Sequence, residues 1–245
     1  PRWYSPNRRL VQGKSIHMKR SVILLTFNEA DGLRILLSQI QRFEVDEIFA
    51  VDGGSTDGTR EILAGADIPI IDQLRRGRGA AIREGVFAAK GDQIVLFSPD
   101  GNEDPNDVPL LFQYLSEGYD MVIASRFLPN SVNEEDDDLL PFRKWANIIL
   151  GRALNIAWGK KTTFVSDTIN GFRGFQRNAF FVISPQSDGF TVEYEMTARA
   201  LQLGLRIHEI PTREGQRLGG TSKASSIPTG IAFLRFFIGH WIRGV

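Results

Sequence analysis

The chain has no cysteine. That excludes disulfides and thiolate metal sites, and it is compatible with a reducing compartment. It has no excess of either charge: Lys+Arg and Asp+Glu both number 29 among 245 residues. No bulk charge therefore argues for a nucleic-acid partner. A long hydrophobic run is also missing. The most apolar stretch, residues 227–242, is interrupted by Arg235 and falls short of the ~20 apolar residues that span a bilayer. The N-terminal segment has no apolar core of the kind a secretory signal carries. Residues 1–17 hold Pro, Arg and Gln without periodicity, and Met18 stands just before the first strand signal. The expectation is a leader or disordered arm over 1–17, with Met18 as the natural start.

What is present is a globular composition, 42% hydrophobic and 24% charged, long enough for one α/β domain with additions or at most two small domains. Charge is unevenly placed: 1–20 and 141–161 are basic without an acid, and 134–138 reads Glu-Glu-Asp-Asp-Asp. Strand and helix signals alternate through the first half. Apolar runs at 21–27, 47–51, 68–71, 93–98 and 120–125 predict strands, and helical spacing predicts helices over 31–43, 59–64, 78–90 and 106–117. This βα alternation predicts a mostly parallel sheet with helices on both faces. In the second half the pattern predicts a basic, apolar helix over 142–158, a strand over 171–175, a helix over 191–203, a strand over 206–210 and an amphipathic helix over 227–242. The acidic run reads as a solvated loop.

In parallel sheets of this kind ligands sit outside the carboxyl ends of the strands. Four polar clusters fall at such ends: Asn28-Glu29, Asp52, Asp100 and Arg126. The segment Asp52-Gly53-Gly54-Ser55-Thr56-Asp57-Gly58 offers a carboxylate for a nucleobase or ribose and glycines that let the backbone approach a ligand, although it is also good turn chemistry. Gly77-Arg78-Gly79 opens a helix, where backbone N–H groups and a guanidinium favour a diphosphate; a capping turn is the plainer alternative. Ser98-Pro99-Asp100-Gly101-Asn102 closes the fourth strand. Mg²⁺ or Mn²⁺ on a diphosphate needs only one or two protein oxygens, which Asp100 and the Asn102 amide would supply.

Taken together with Thr26-Phe27-Asn28-Glu29, these motifs resemble glycosyltransferase family 2, which has the GT-A fold. Ser125-Arg126-Phe127, the run from Ser166-Asp167 through Asn170-Gly171-Phe172-Arg173, and the stretch from Arg217 to Lys223 are similar to its dolichyl- and polyprenyl-phosphate branch. The resemblance implies a domain over 18–226 that binds a nucleoside diphosphate sugar through Thr26, Asn28, Glu29, Asp52, Gly54, Gly77, Arg78, Gly79, Ser98 and Asp100. It implies a metal on Asp100 and Asn102. Asp100, Arg126, Asp167 and Arg173 become the candidate catalytic residues. A phosphate acceptor needs cations rather than a base, and Arg126, Arg173, Arg217 and Lys223 are the candidates, with Asp167 suited to orienting an arginine. Two positions depart from the family pattern: Ser98 stands where Asp is usual, and Gly53 where a second Asp is common.

The helix over 142–158 mixes Trp145, Ile148, Ile149, Leu154 and Trp158 with Arg143, Lys144 and Arg152, which is how an interfacial helix reads. The C-terminal helix expected within 227–245 repeats the theme; packing of both on the sheet is the plainer reading. The expected activity is inverting hexose transfer to a polyprenyl phosphate, peripheral on the cytoplasmic face of a membrane. Transfer to a sugar hydroxyl and an inactive nucleotide-sugar-binding protein are the alternatives.

Overall fold

Side chains alternate across a strand, so a strand buried on both faces feeds two cores. In the computed structural model, which describes residues 18–133, 142–159, 164–218 and 232–239, β1 (Arg20–Thr26) does this. Ile23 and Leu25 enter one apolar cluster and Val22 and Leu24 the other. The elements that follow are α1 (Ala30–Ile40), β2 (Glu47–Asp52), α2 (Thr59–Gly65), β3 (Ile70–Asp72), α3 (Arg78–Ala88) and β4 (Gln93–Phe97). A short 3₁₀ turn (Pro105–Asp107) leads into α4 (Val108–Ser116) and β5 (Met121–Ser125). The second half adds α5 (Phe142–Trp158), β6 (Arg173–Gln176), α6 (Arg177–Ile183), α7 (Val192–Leu203) and β7 (Ile207–Pro211).

The seven strands form one sheet in the order β3-β2-β1-β4-β6-β5-β7. The pairs β3–β2, β2–β1, β1–β4 and β5–β7 are parallel, and β6 runs antiparallel to both β4 and β5. The expected α/β, mostly parallel architecture is therefore present. The alternating pattern did not reveal that β6 separates β4 from β5, because strand direction leaves no mark on side-chain periodicity. One core holds α1, α2 and α4 through Leu33, Leu36, Leu63 and Leu111; the other holds α3, α5, α6 and α7 through Ile82, Leu154, Phe180 and Tyr194. Gly85 lets α3 lie close on the sheet, since a β-carbon there would be 2.9 Å from Ile23 Cγ2.

The helix expected at 142–158 is observed with those bounds. Within the expected C-terminal helix, 232–239 is helical, and Phe233 and Phe236 pack edge-on against Tyr194. α6 was not anticipated, because seven residues are too few for a helical period to stand out. The segment 1–17, the acidic run at 134–138, Lys160, Lys161, Lys223 and the remaining residues of 227–245 lie outside the described residues. No described helix is long and apolar enough to cross a membrane.

Candidate functional site

The carboxyl ends of β1, β2 and β3 form a shared edge. Thr26, Asp52 and Asp72 are in register across the three strands. Asp52 is 1% exposed. Its carboxylate accepts hydrogen bonds from Thr26 Oγ1 (2.9 Å), Gly54 N (3.1 Å), Ser55 N (2.9 Å), Ser55 Oγ (2.6 Å) and an Arg60 guanidinium N–H (3.1 Å). Burial pushes its pKa up, but the bonds from Ser55, Thr26 and Arg60 outweigh burial and hold it below the usual carboxylate range. The sequence places Asp52 and Thr26 on the nucleotide, with Asp52 offering its carboxylate to a nucleobase or ribose. The structure corrects that premise: the Gly54-Ser55 turn folds back onto Asp52 and takes up its oxygens. Asn28, at φ 55°, ties the same loop together, donating its N–H to Ser55 Oγ (2.8 Å) and accepting from Thr56 N (2.8 Å). Gly54, at φ 91°, faces open space.

At the start of α3 the expected diphosphate cradle is already occupied. The N–H groups of Gly79 and Ala80 donate to the Asp188 carbonyl at 2.8 and 3.3 Å. A β-carbon at Gly77 or Gly79 would collide with the Asp188 or Ser187 carbonyl. Those two glycines admit a neighbouring loop, and the helix N-terminus does not stand open to a ligand. Arg78 pairs with Glu193 and donates to Ser98 Oγ (3.2 Å). Burial lowers its pKa, and the charges of Glu193, Glu103 and Asp100 with the Glu193 hydrogen bond together more than reverse this.

Asp100 sits just beyond β4. Arg217 donates to it at 2.6 Å and lies 3.9 Å from the Glu29 carboxylate. The segment carrying Arg217 is fixed over this loop by Leu218 N to Asp100 O (2.8 Å) and Gly215 N to Asn102 O (3.0 Å). Asn102 donates its backbone N–H to Asp100 Oδ1 (3.1 Å), while its own amide oxygen is buried without a hydrogen-bond partner among the described residues. Such an orphan costs about 1–3 kcal/mol unless something binds it. Glu103 accepts the Ser98 N–H at 2.7 Å; burial pushes its carboxyl up to about 8 against the pull of Arg78. Among the described residues, no group of three or more His, Cys, Asp or Glu side chains converges on one point. The donor set is one carboxylate and one orphaned amide oxygen. That fits a hard divalent cation whose remaining ligands are phosphate and water oxygens, once Arg217 yields Asp100.

The third group surrounds Arg126 at the end of β5. Its guanidinium donates to both oxygens of Asp167, at 2.7 and 3.0 Å, and to Glu214 at 3.1 Å. Burial raises the pKa of Asp167, and the charge and hydrogen bonds of Arg126 with the charge of Arg173 together outweigh it, so the net shift is downward. Asp167 in turn receives no water-facing role, being 0% exposed. Arg173, expected as a cation for the acceptor, is also 0% exposed. It donates to the Asn170 carbonyl (2.8 Å), the Glu193 carbonyl (3.0 Å) and Thr197 Oγ1 (3.1 Å), and burial draws its pKa down to about 10. The structure corrects that expectation: β6 lies inside the sheet, and this side chain is fully buried against α7. Sequence reasoning missed Glu193 and Glu214. Two carboxylates, Glu193 and Glu195, buried between the apolar Val192, Tyr194 and Met196 are the pattern that marks it.

A model of the family described as Glycosyl transferase family 2 matches residues 21–180. The glycosyltransferase AglJ of Haloferax volcanii is 29% identical, over 88% of this chain and 70% of its own length. The polyprenol monophosphomannose synthase of Mycolicibacterium smegmatis is 26% identical, over 91% of this chain and 87% of its own. Among solved structures, the glucosyl-3-phosphoglycerate synthase of Mycobacterium tuberculosis, in complex with Mn²⁺, UDP and glucosyl-3-phosphoglycerate, superposes with a TM-score of 0.68 at 22% identity. That match covers 91% of this chain and 81% of the other.

Proposed function

The chain belongs to glycosyl transferase family 2 and is a glycosyltransferase, and we propose that it transfers a hexose, with inversion, from a nucleoside diphosphate sugar to a polyprenyl or dolichyl phosphate at the cytoplasmic face of a membrane. The observation that carries the lipid acceptor is the outer face of α5. Trp145, Ile149 and Ile156 are all exposed there, with Arg152 on the same stripe by helical spacing. The inner face is anchored by Leu154. Asn155 binds Val165 at 2.8–2.9 Å, two residues before the Asp167 that grips Arg126. A lipid lying along α5 thus has its phosphate end near the Arg126 clamp. The mycobacterial polyprenol monophosphomannose synthase is a relative that supports the same acceptor class.

On this reading Asp100 and Asn102 hold Mg²⁺ or Mn²⁺, which when bound offsets the charge on the leaving diphosphate. Arg217, beside the same point, adds a second positive charge to that group. The acceptor phosphate has a second pKa of ~6 and arrives as an anion, so no side chain has to remove a proton. A hydroxyl acceptor would require a base, and Asp167 is taken by Arg126. Asp167 and Glu214 fix the Arg126 guanidinium, so that one rigid cation aligns the phosphate with the anomeric carbon. The test is incorporation of labelled hexose into an organic-extractable lipid from polyprenyl phosphate and a panel of nucleotide sugars. Incorporation that Asp100→Asn abolishes supports the reading; labelled product only with hydroxyl acceptors overturns it.

A further inference from the structure

A rigid Arg126 needs its own backbone and its Asp167 partner held in place. Glu209, which no step of the proposed transfer uses, lies behind both. It stands on β7 opposite Ile123 of β5. Paired residues project to one face of a sheet, and side chains alternate along a strand. Ser125, two residues beyond Ile123, therefore shares that face with Glu209. The Glu209 carboxylate accepts Ser166 N (2.8 Å) on one oxygen, and Ser166 Oγ (2.8 Å) and Asp167 N (2.9 Å) on the other. None of these three partners is a cation. Burial, with the charge of Asp167, raises the Glu209 pKa, and the three bonds offset this only in part.

The direction of the hydroxyl bonds follows from their protons. Ser166 Oγ spends its one proton on the carboxylate, which only accepts. Ser125 Oγ lies 2.7 Å from Ser166 Oγ and is therefore the donor of that pair. Ser125 Oγ in turn accepts the Phe127 N–H at 3.2 Å. A chain of bonds thus runs from Phe127 N–H through two serine hydroxyls to Glu209, and it ties the backbone on both sides of Arg126. The Arg126 N–H itself donates to Asp167 Oδ2 at 3.1 Å. Asp167, whose oxygens grip the guanidinium, has its own N–H on Glu209. Both halves of the clamp end on one carboxylate.

We propose that Glu209 is a positioning residue for the transfer, setting the Arg126 guanidinium through the Ser166–Asp167 turn and the Ser125 hydroxyl. This rests on the reading of Arg126 as the cation that aligns the acceptor phosphate. A displacement of about 1 Å in such a group costs on the order of 100-fold in rate. Glu209→Gln keeps the volume of the side chain but turns one accepting oxygen into an NH₂ that faces N–H and O–H donors.

The test is steady-state transfer from a labelled nucleotide sugar to polyprenyl phosphate in mixed micelles with Mn²⁺, varying donor and acceptor separately. Glu209→Gln should raise the acceptor KM about tenfold or more and leave the donor KM unchanged. Ser166→Ala cuts the hydroxyl chain but keeps both N–H bonds, and should raise the acceptor KM about threefold or more. Arg126→Lys loses the forked grip on Asp167, so adding Glu209→Gln to it should raise the acceptor KM no further. A role in stability alone would lower the amount of active protein, and with it kcat, at unchanged KM for both substrates. That result, or an equal rise in both backgrounds, overturns the inference. If Glu209→Gln does not fold, Ser166→Ala decides: an unchanged acceptor KM overturns it. If the wild type transfers nothing to polyprenyl phosphate, the lipid-phosphate reading falls and this inference with it.

Discussion

At the residue scale, the carboxylates of this cleft divide by what already holds them. Asp52 is held by the turn that follows it, so Asp52→Ala strands several buried donors and should destabilise the fold by about 2–4 kcal/mol. Urea unfolding measures it. Asp100, held only by Arg217 and the Asn102 backbone N–H among the described residues, should tolerate Asn with little change in melting temperature while metal-dependent turnover disappears. Arg126→Ala leaves Asp167 charged and buried without its partner, and should cost about 3–5 kcal/mol as well as transfer. The pH dependence has two signs. Asp52 and Asp167 have pKa values below their ordinary 3.8, so their stabilisation is full above that value and is lost as pH falls through the folded value. Glu103 runs the other way. Its folded pKa is about 8 against 4.5, so the folded state holds a proton that the unfolded chain has released. Stability of the metal-free protein should therefore decline as pH rises from about 4.5 to 8. Thermal melts in chelator should show that decline, and Glu103→Gln should flatten it.

At the scale of elements, α5 is one helix with two environments, and the two can be separated. Leu154→Ala on the inner face opens a cavity and should cost about 2–5 kcal/mol. Trp145→Glu with Ile149→Glu on the outer face should leave the melting temperature unchanged and abolish sedimentation with anionic liposomes. Liposome binding by that double variant at the wild-type level would mean the stripe serves something other than a membrane. This helix was legible in the sequence because seventeen residues show both an apolar period and its charged interruptions. The strands β1, β2 and β4 were legible for a similar reason, as continuous apolar runs ending in polar clusters. The direction and place of β6 were not, since they depend on where the chain returns after α5. Within the site, the positions were legible and several roles were not. A sequence shows that Asp52 ends a strand but not that Ser55 folds back onto it. It shows glycines at 77 and 79 but not the Asp188 carbonyl that fills the space beside them. It shows Arg173 near Asn170 but not that the strand beneath it is interior.

At the scale of the whole molecule, the six co-directional strands place their carboxyl ends along one edge and the helices close both faces behind it. On the proposed reading this edge carries two functions in spatial order: the Asp100–Asn102 loop after β4 for cation and diphosphate, and the Arg126 clamp after β5 for an acceptor anion. α5 lies beside the last of these, with its apolar stripe turned outward. The account depends on that order serving one reaction. The most direct measurement is a competition: purified protein, Mn²⁺, a labelled nucleotide sugar, and equal concentrations of polyprenyl phosphate and the corresponding free polyprenol in mixed micelles. The account predicts label in the phosphate-linked lipid alone, with transfer abolished in Asp100→Asn and Arg126→Ala. Label carried by the free alcohol at a comparable rate, or no labelled lipid while a soluble hydroxyl acceptor is glycosylated, would contradict it.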